Sequence, residues 1–206
     1  MIKRILIVTI LFQCIFYAAF SQSLETYSSF KKEEIFSEHF QDNQNSWRKF
    51  YTKIKKGKYA VETIGNDLPA LTTIPVRIET GRDYEIETEI SLEWNRSKDF
   101  LGIVWNRDLN HGYYFGFNKE NKMEVFKKEY DNVIVLDKIS GIHSAIPMYT
   151  KSLITIRKIK DEYLIYVNRL LVFRVPADEH YGDHIGYFVG KASEIKAYKL
   201  TVSYIE

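Results

Sequence analysis

The chain has 206 residues, 29 basic against 27 acidic side chains, 15% aromatic residues and one cysteine, Cys14. A single cysteine excludes a disulfide framework, and near-neutral charge gives no general pull towards nucleic acid or anionic lipid. The length suits one domain with its own core and is short for two.

The chain opens MIKRILIVTILFQCIFYAAFSQS, with Lys3 and Arg4 ahead of a mostly apolar stretch from Ile5 to Phe20. Thr9 and Gln13 interrupt that stretch, which is shorter than the roughly 20 apolar residues of a spanning helix. With Ala19 and Ser21 as small residues at its end, it reads as a signal peptide over residues 1–21. That expectation leaves the mature chain without a membrane span and directs it to the periplasm or cell surface. Cys14 is not read as a lipidation site, because Leu11-Phe12-Gln13 puts a large amide where a small residue is wanted. Lys3 and Arg4 leave with the leader, which brings the basic residues level with the acidic ones. Residues 22–34, QSLETYSSFKKEE, are polar and aperiodic and read as a short tether. Residues 35–206 are expected to form a single domain.

From Ile35 onwards the hydrophobic pattern has period two, broken by turn residues every eight to twelve positions, as in all-β sandwiches and barrels. Strands are predicted at 58–63, 71–79, 83–94, 100–106, 112–118, 123–129 and 132–137. Further strands follow at 152–159, 162–167, 170–175, 184–190 and 194–204. The β-branched and aromatic residues of SLITIRKI, YLIYVN and LLVFRV suit strands. Asn118 to Lys122 and Asn168-Arg169 read as hairpin turns, the second without the glycine such a turn favours. No segment carries a helical stripe. About a dozen strands without parallel crossovers predict an all-β fold, a two-sheet antiparallel β-sandwich of jelly-roll form.

Several short segments carry a family likeness. They are IFSEHFQDNQNSW (35–47), KGKYAVE (56–62), DYEIETEI (83–90), LGIVWN (101–106), GYYFGFNKENKMEVFK (112–127), SLITIRKIKDEYLIYVNRLLVF (152–173) and GDHIGYFVGKASEIKAYKLTV (182–202). In this order the chain resembles concanavalin A-like lectin/glucanase domains of the laminin-G-like kind, over essentially all of 35–205. The resemblance implies a jelly-roll fold, and that fold hosts lectins, glycosidases and adhesion modules alike. Two positions depart from the family pattern. Asn168-Arg169 replaces the usual Asn-Gly, which puts the geometry of that turn in doubt. Ala197-Tyr198-Lys199 stands where such domains often carry an aspartate, so no ligand or calcium contact from that position is assumed.

Candidate chemistry sits in three places. In DYEIETEISLEW (83–94) the carboxylates Glu85, Glu87, Glu89 and Glu93 alternate with apolar residues and fall on one face. The resemblance implies that retaining glucanases of this fold use such a strand, and retention needs carboxyl groups about 5–5.5 Å apart. Residues two apart on a strand lie about 6.6–6.8 Å apart along the backbone, so Glu85, Glu87 and Glu89 meet the spacing once the side chains lean. The glucanase pattern has an aspartate between the glutamates, however, and here the middle acid is Glu87. The same alternation also serves as a solvated strand face. The second place is Trp105, Asn106, Arg107 and Tyr114, an aromatic and polar set able to stack on and hydrogen-bond a sugar, unless Trp105 fills the core. The third is DEHYGDH (178–184), where His180, Asp183 and His184 are ligand types for a metal. On a strand the two histidines would stand about 13 Å apart, which favours a plain polar loop. Asn95-Arg96-Ser97 marks a surface turn.

The reading is a secreted, non-catalytic binding module for carbohydrate or another envelope component, with no obligatory cofactor and no nucleic-acid partner. The alternatives are a glycoside hydrolase using the glutamates of 83–94 and a protein-interaction module in an envelope assembly.

Overall fold

The computed structural model describes residues 30–47, 52–63, 69–79, 81–108, 110–140, 149–177 and 183–206, without the Arg107 side chain. The signal peptide expected over 1–21 and most of the tether lie outside the described residues. Among the described residues no helix is long and apolar enough to cross a membrane.

Strands account for the architecture. In chain order they are β1 (Lys32–Glu38), β2 (Thr52–Ile54), β3 (Tyr59–Glu62), β4 (Ala70–Pro75), β5 (Tyr84–Asn95), β6 (Leu101–Asp108) and β7 (His111–Phe117). Then come β8 (Lys122–Glu129), β9 (Asn132–Ser140), β10 (Ser152–Ile159), β11 (Glu162–Val167), β12 (Leu170–Pro176), β13 (His184–Val189) and β14 (Ser193–Ile205). The first sheet runs β12-β11-β10-β5-β14-β3-β2, with β1 also on β14. The second runs β4-β13-β6-β7-β8-β9. All the pairs are antiparallel and neither sheet closes on itself, so the two-sheet sandwich expected from period two is what forms. Its core lies between the layers, with Ile86, Ile90, Ile156 and Val202 from the first sheet and Ile103, Trp105, Phe115 and Tyr187 from the second.

The tether boundary differs from the sequence reading, and the β11–β12 turn does not. Lys32, Glu33 and Glu34 pair with Ile205, Tyr204 and Ser203, so the sheet takes in the end of the expected tether. Their polar, exposed side chains carry no alternation to read. Asn168 (φ 49°) and Arg169 (φ 70°) both adopt left-handed backbone between paired Val167 and Leu170. The β11–β12 hairpin thus keeps the turn geometry that its missing glycine had put in doubt.

The segment after β1 is fastened by one carboxylate. Glu38 is buried and accepts from the Phe40 backbone N–H (2.7 Å), the Asn45 amide (2.7 Å) and the Trp47 indole (3.0 Å). These bonds set Phe40 and Trp47 into the core, 5.4 and 4.8 Å from the Tyr59 ring. Glu38→Ala leaves two buried donors unmatched. Since each costs about 1–3 kcal/mol, a loss of about 3 kcal/mol is expected in urea denaturation. A change under about 1 kcal/mol would mean that packing alone holds this segment.

Candidate functional site

The outer face of the first sheet carries the acidic row of β5. In register across β10, β5 and β14 lie Arg157–Glu85–Ser203, Thr155–Glu87–Thr201 and Leu153–Glu89–Lys199. The row is not the uniformly wet surface that alternation suggests. Glu85 and Arg157 are each only 2% exposed, with Arg157 Nε 2.6 Å from Glu85 Oε2. The Arg157 guanidinium lies 5.1 Å from the Phe30 ring and 5.2 Å from that of Tyr166. Lys32, from β1, reaches over to ion-pair with Glu85 and sits 3.8 Å from Glu87. Glu89 pairs with Lys151 at 3.0 Å. Every candidate acid therefore has a cation beside it.

Further along the same face, Glu93 accepts from Lys196 (2.7 Å) and from the Ser91 hydroxyl (2.6 Å). Burial pushes the Glu93 carboxyl up, but these two bonds outweigh it and hold the group below its ordinary value of 4.5. Its contribution to stability is therefore complete above that value and is lost as pH falls through the lowered one. A pH–stability profile should decline on this acid limb, and Glu93→Gln should flatten that limb. An identical profile in the variant contradicts the pairing.

Between Glu89 and Glu93 the sheet opens into a groove. β1 covers β14 from Leu200 to Ile205 and β3 covers it from Ser193's neighbour Glu194 to Ala197, so neither pairs with Tyr198 or Lys199. At this point β14 is bulged, with Ala197 opposite Ile90 and Lys199 opposite the adjacent Glu89. The extra residue is Tyr198, and a bulge of this kind re-aims a side chain while twisting the strand. The Tyr198 hydroxyl lies 3.0 Å from Ser91 Oγ. Because the Ser91 proton is committed to Glu93, Tyr198 is the donor in that bond. Lys151 Nζ stands 4.2 Å from the Tyr198 ring centre and Lys58 Nζ 5.4 Å from it.

The groove has a volume of about 560 Å³, with Lys56, Lys58, Glu89, Lys151, Tyr198 and Lys199 along it and His39 and Gln41 at its β1 end. Its far wall is the β2–β3 hairpin, where Lys56 (φ 52°) and Gly57 (φ 69°) both take left-handed backbone inside a Lys55 N–H to Lys58 carbonyl bond of 2.9 Å. Glycine at 57 meets the demand of that left-handed backbone, and a Cβ there would displace only the flexible amide end of Gln41, 2.9 Å away.

On the second sheet Trp105 fills the core, while Asn106 and Tyr114 face outward. Trp105 is fully buried in the core, 5.7 Å from the Tyr113 ring with the planes nearly parallel. Asn106 does face outward but is buried, its amide donating to the Asp108 carbonyl at 2.7 Å across the β6 bulge. Tyr114 also faces outward and is buried, stacked on Phe126 at 4.9 Å and edge-on to Phe188 at 5.3 Å. Flanking rings on neighbouring strands cover it, which alternation along its own strand does not report. None of the three offers a free sugar-stacking face. The Arg107 side chain and His180 lie outside the described residues. Asp183 and His184 are half-buried, and among the described residues no three His, Cys, Asp or Glu side chains group as a metal set would.

Solved structures with similar folds span both binding and catalysis. The exoplasmic/lumenal domain of VIP36, in a Ca2+/Man3GlcNAc-bound form, matches 85% of this chain and 91% of its own at 8% identity, with a TM-score of 0.64. SCLam, a non-specific endo-β-1,3(4)-glucanase of family GH16, matches over 87% and 94% at 10% identity, with a TM-score of 0.61. The fold is concanavalin A-like. The CBM2 module of the evolved Dit of Lactobacillus casei BL23 phage J-1 gives 86% and 98% at 8% identity, with a TM-score of 0.59. No family model and no curated protein matches the sequence. At such identities the concanavalin A-like likeness is one of architecture, and chemistry has to be argued from the groove itself.

Proposed function

We propose that the chain is a non-catalytic carbohydrate-binding module whose glycan lies in the groove at the β14 bulge. The observation that carries this reading is Tyr198, an aromatic ring lifted out of strand alternation and pinned by Ser91 beside an open polar groove. An immobilised ring between hydrogen-bonding side chains is suited to a sugar, whose faces are apolar and whose rim is polar. Lectin and carbohydrate-binding neighbours agree with it.

The glycosidase alternative has a glucanase neighbour in its favour. Against it stands the environment of the acids. A general acid must keep its proton at working pH, which apolar burial or a neighbouring like charge achieves. Here Glu85 is committed to Arg157 and Lys32 and Glu89 to Lys151, and the bonds to Lys196 and Ser91 hold Glu93 below its ordinary value. The leader expected over residues 1–21 makes this a secreted module of the periplasm or cell surface.

Affinity electrophoresis through gels carrying single polysaccharides tests the proposal, with reducing-sugar release measured on the same panel. Retardation by at least one polymer without release is expected. Release that disappears in Glu87→Gln would make the chain a hydrolase, and no retardation by any polymer would remove the glycan.

The protein-interaction reading has one observation of its own. β9 is the last strand of the second sheet and leaves Val133, Ile134 and Val135 exposed, an edge suited to strand addition. A photo-crosslinker at position 134 should then give an envelope-protein adduct of defined mass, removed by Val133→Lys with Val135→Lys.

A further inference from the structure

The charge of the groove says more about its ligand than its shape does. Lys56, Lys58, Lys151 and Lys199 line it, and His39 sits at its end. Among the described residues the one carboxylate in the lining is Glu89, already paired with Lys151. No carboxylate among the described residues lies within ion-pair distance of Lys56, Lys58 or Lys199, and all three line the one groove. In a chain with a formal charge of only +2, this is a local concentration and not a general basic surface.

It is also produced by the fold. The three unpaired lysines come from the β2–β3 hairpin and from the β14 bulge, which the gap between β1 and β3 brings to one place. Like charges gathered around a groove raise its potential and draw in counter-ions. Lysine ammonium groups are compact point charges without the planar fork of arginine, so they select charge and not one particular anionic group.

We propose that the groove is selective for acidic polysaccharides, chains bearing carboxylate or sulfate groups along a sugar backbone. The inference rests on the reading of the groove as a glycan site. Tyr198 stacks against a ring of the polymer, and Lys58, Lys199 and Lys56 neutralise its anionic groups. The cation already lodged over Tyr198, Lys151, is shared between Glu89 and the incoming anion. Binding of this kind releases counter-ions and is therefore weakened by salt.

The test is binding of the full chain to four probes: polygalacturonate, dextran sulfate, neutral dextran and single-stranded DNA. Expected is retention by one or both acidic polysaccharides, with affinity falling about tenfold or more between about 50 and about 500 mM NaCl. Lys58→Gln with Lys199→Gln should weaken that binding by about tenfold and leave thermal unfolding nearly unchanged, since Lys58 is exposed, Lys199 is only half-buried and neither has a carboxylate partner among the described residues. Which acidic polymer is held tells carboxylate from sulfate. Equal binding to neutral dextran, unmoved by salt or by the lysine substitutions, would overturn the inference while the glycan reading stands. DNA held as tightly as the acidic glycans would overturn it as well, by making the groove a general polyanion sink. Binding to none of the four would remove the glycan reading itself.

Discussion

Arg157→Ala is expected to cost about 3–5 kcal/mol of unfolding free energy, the range for removing one partner of a buried ion pair. The guanidinium and the Glu85 carboxylate are each 2% exposed, and the 2.6 Å bond between them is charge-assisted. Without Arg157, Glu85 is a charge in a dry place. Its remaining cation, Lys32, is 41% exposed and approaches from the rim, so it moderates the loss without cancelling it. The double change Glu85→Leu with Arg157→Met should recover most of the loss, because two apolar groups leave nothing to desolvate. Urea titration of the two single variants and the double one measures this directly, and strong non-additivity is the signature. An additive pair, or a single-variant cost under about 1 kcal/mol, would put the two groups in water. The result bears on function too. In a Glu85 single variant, lost activity and lost stability arrive together, so Glu87 and Glu89 give the cleaner test of catalysis.

Tyr198→Ala should weaken glycan binding by about 30-fold, the loss expected of a central aromatic anchor worth about 2 kcal/mol. Stability should move by less than about 1 kcal/mol, since the residue is the unpaired one of a bulge and only half-buried on the outer face. Tyr198→Phe separates the two parts of the argument. It keeps the stacking face and gives up only the bond to Ser91, so a loss of about three- to tenfold is expected from a less firmly held ring. Wild-type affinity in Tyr198→Ala, measured by isothermal titration, would place the ligand elsewhere.

The bulge that lifts Tyr198 was visible in the pattern of the chain. Ile195 and Ala197 face the core at odd positions, and Leu200, Val202 and Tyr204 face it at even ones. An alternation that changes parity across Ala197-Tyr198-Lys199 requires one extra residue, so the break marks the bulge without coordinates. What that break faces is a different matter. The groove needs β1 and β3 to meet β14 on either side of the gap, and no local pattern states that pairing. Glu85 illustrates the same limit. Period two puts it on the outer face correctly, but its dry surroundings come with Arg157 and Lys32, distant in sequence. The sandwich was legible because alternation repeats in almost every strand. Asn106 and Tyr114 face outward, as alternation along their strands implies, yet both are buried, because facing outward on a sheet is not the same as meeting water.

The most direct measurement is an amide NMR titration of the chain with whichever polysaccharide retards it in a gel. Shifts should concentrate at His39, Gln41, Lys56 to Lys58, Lys151, Tyr198 and Lys199, and in Tyr198→Ala should need about 30-fold more polysaccharide to develop. Shifts centred instead on Tyr114, Phe126 and Phe188, with the Tyr198 region silent, would contradict the account.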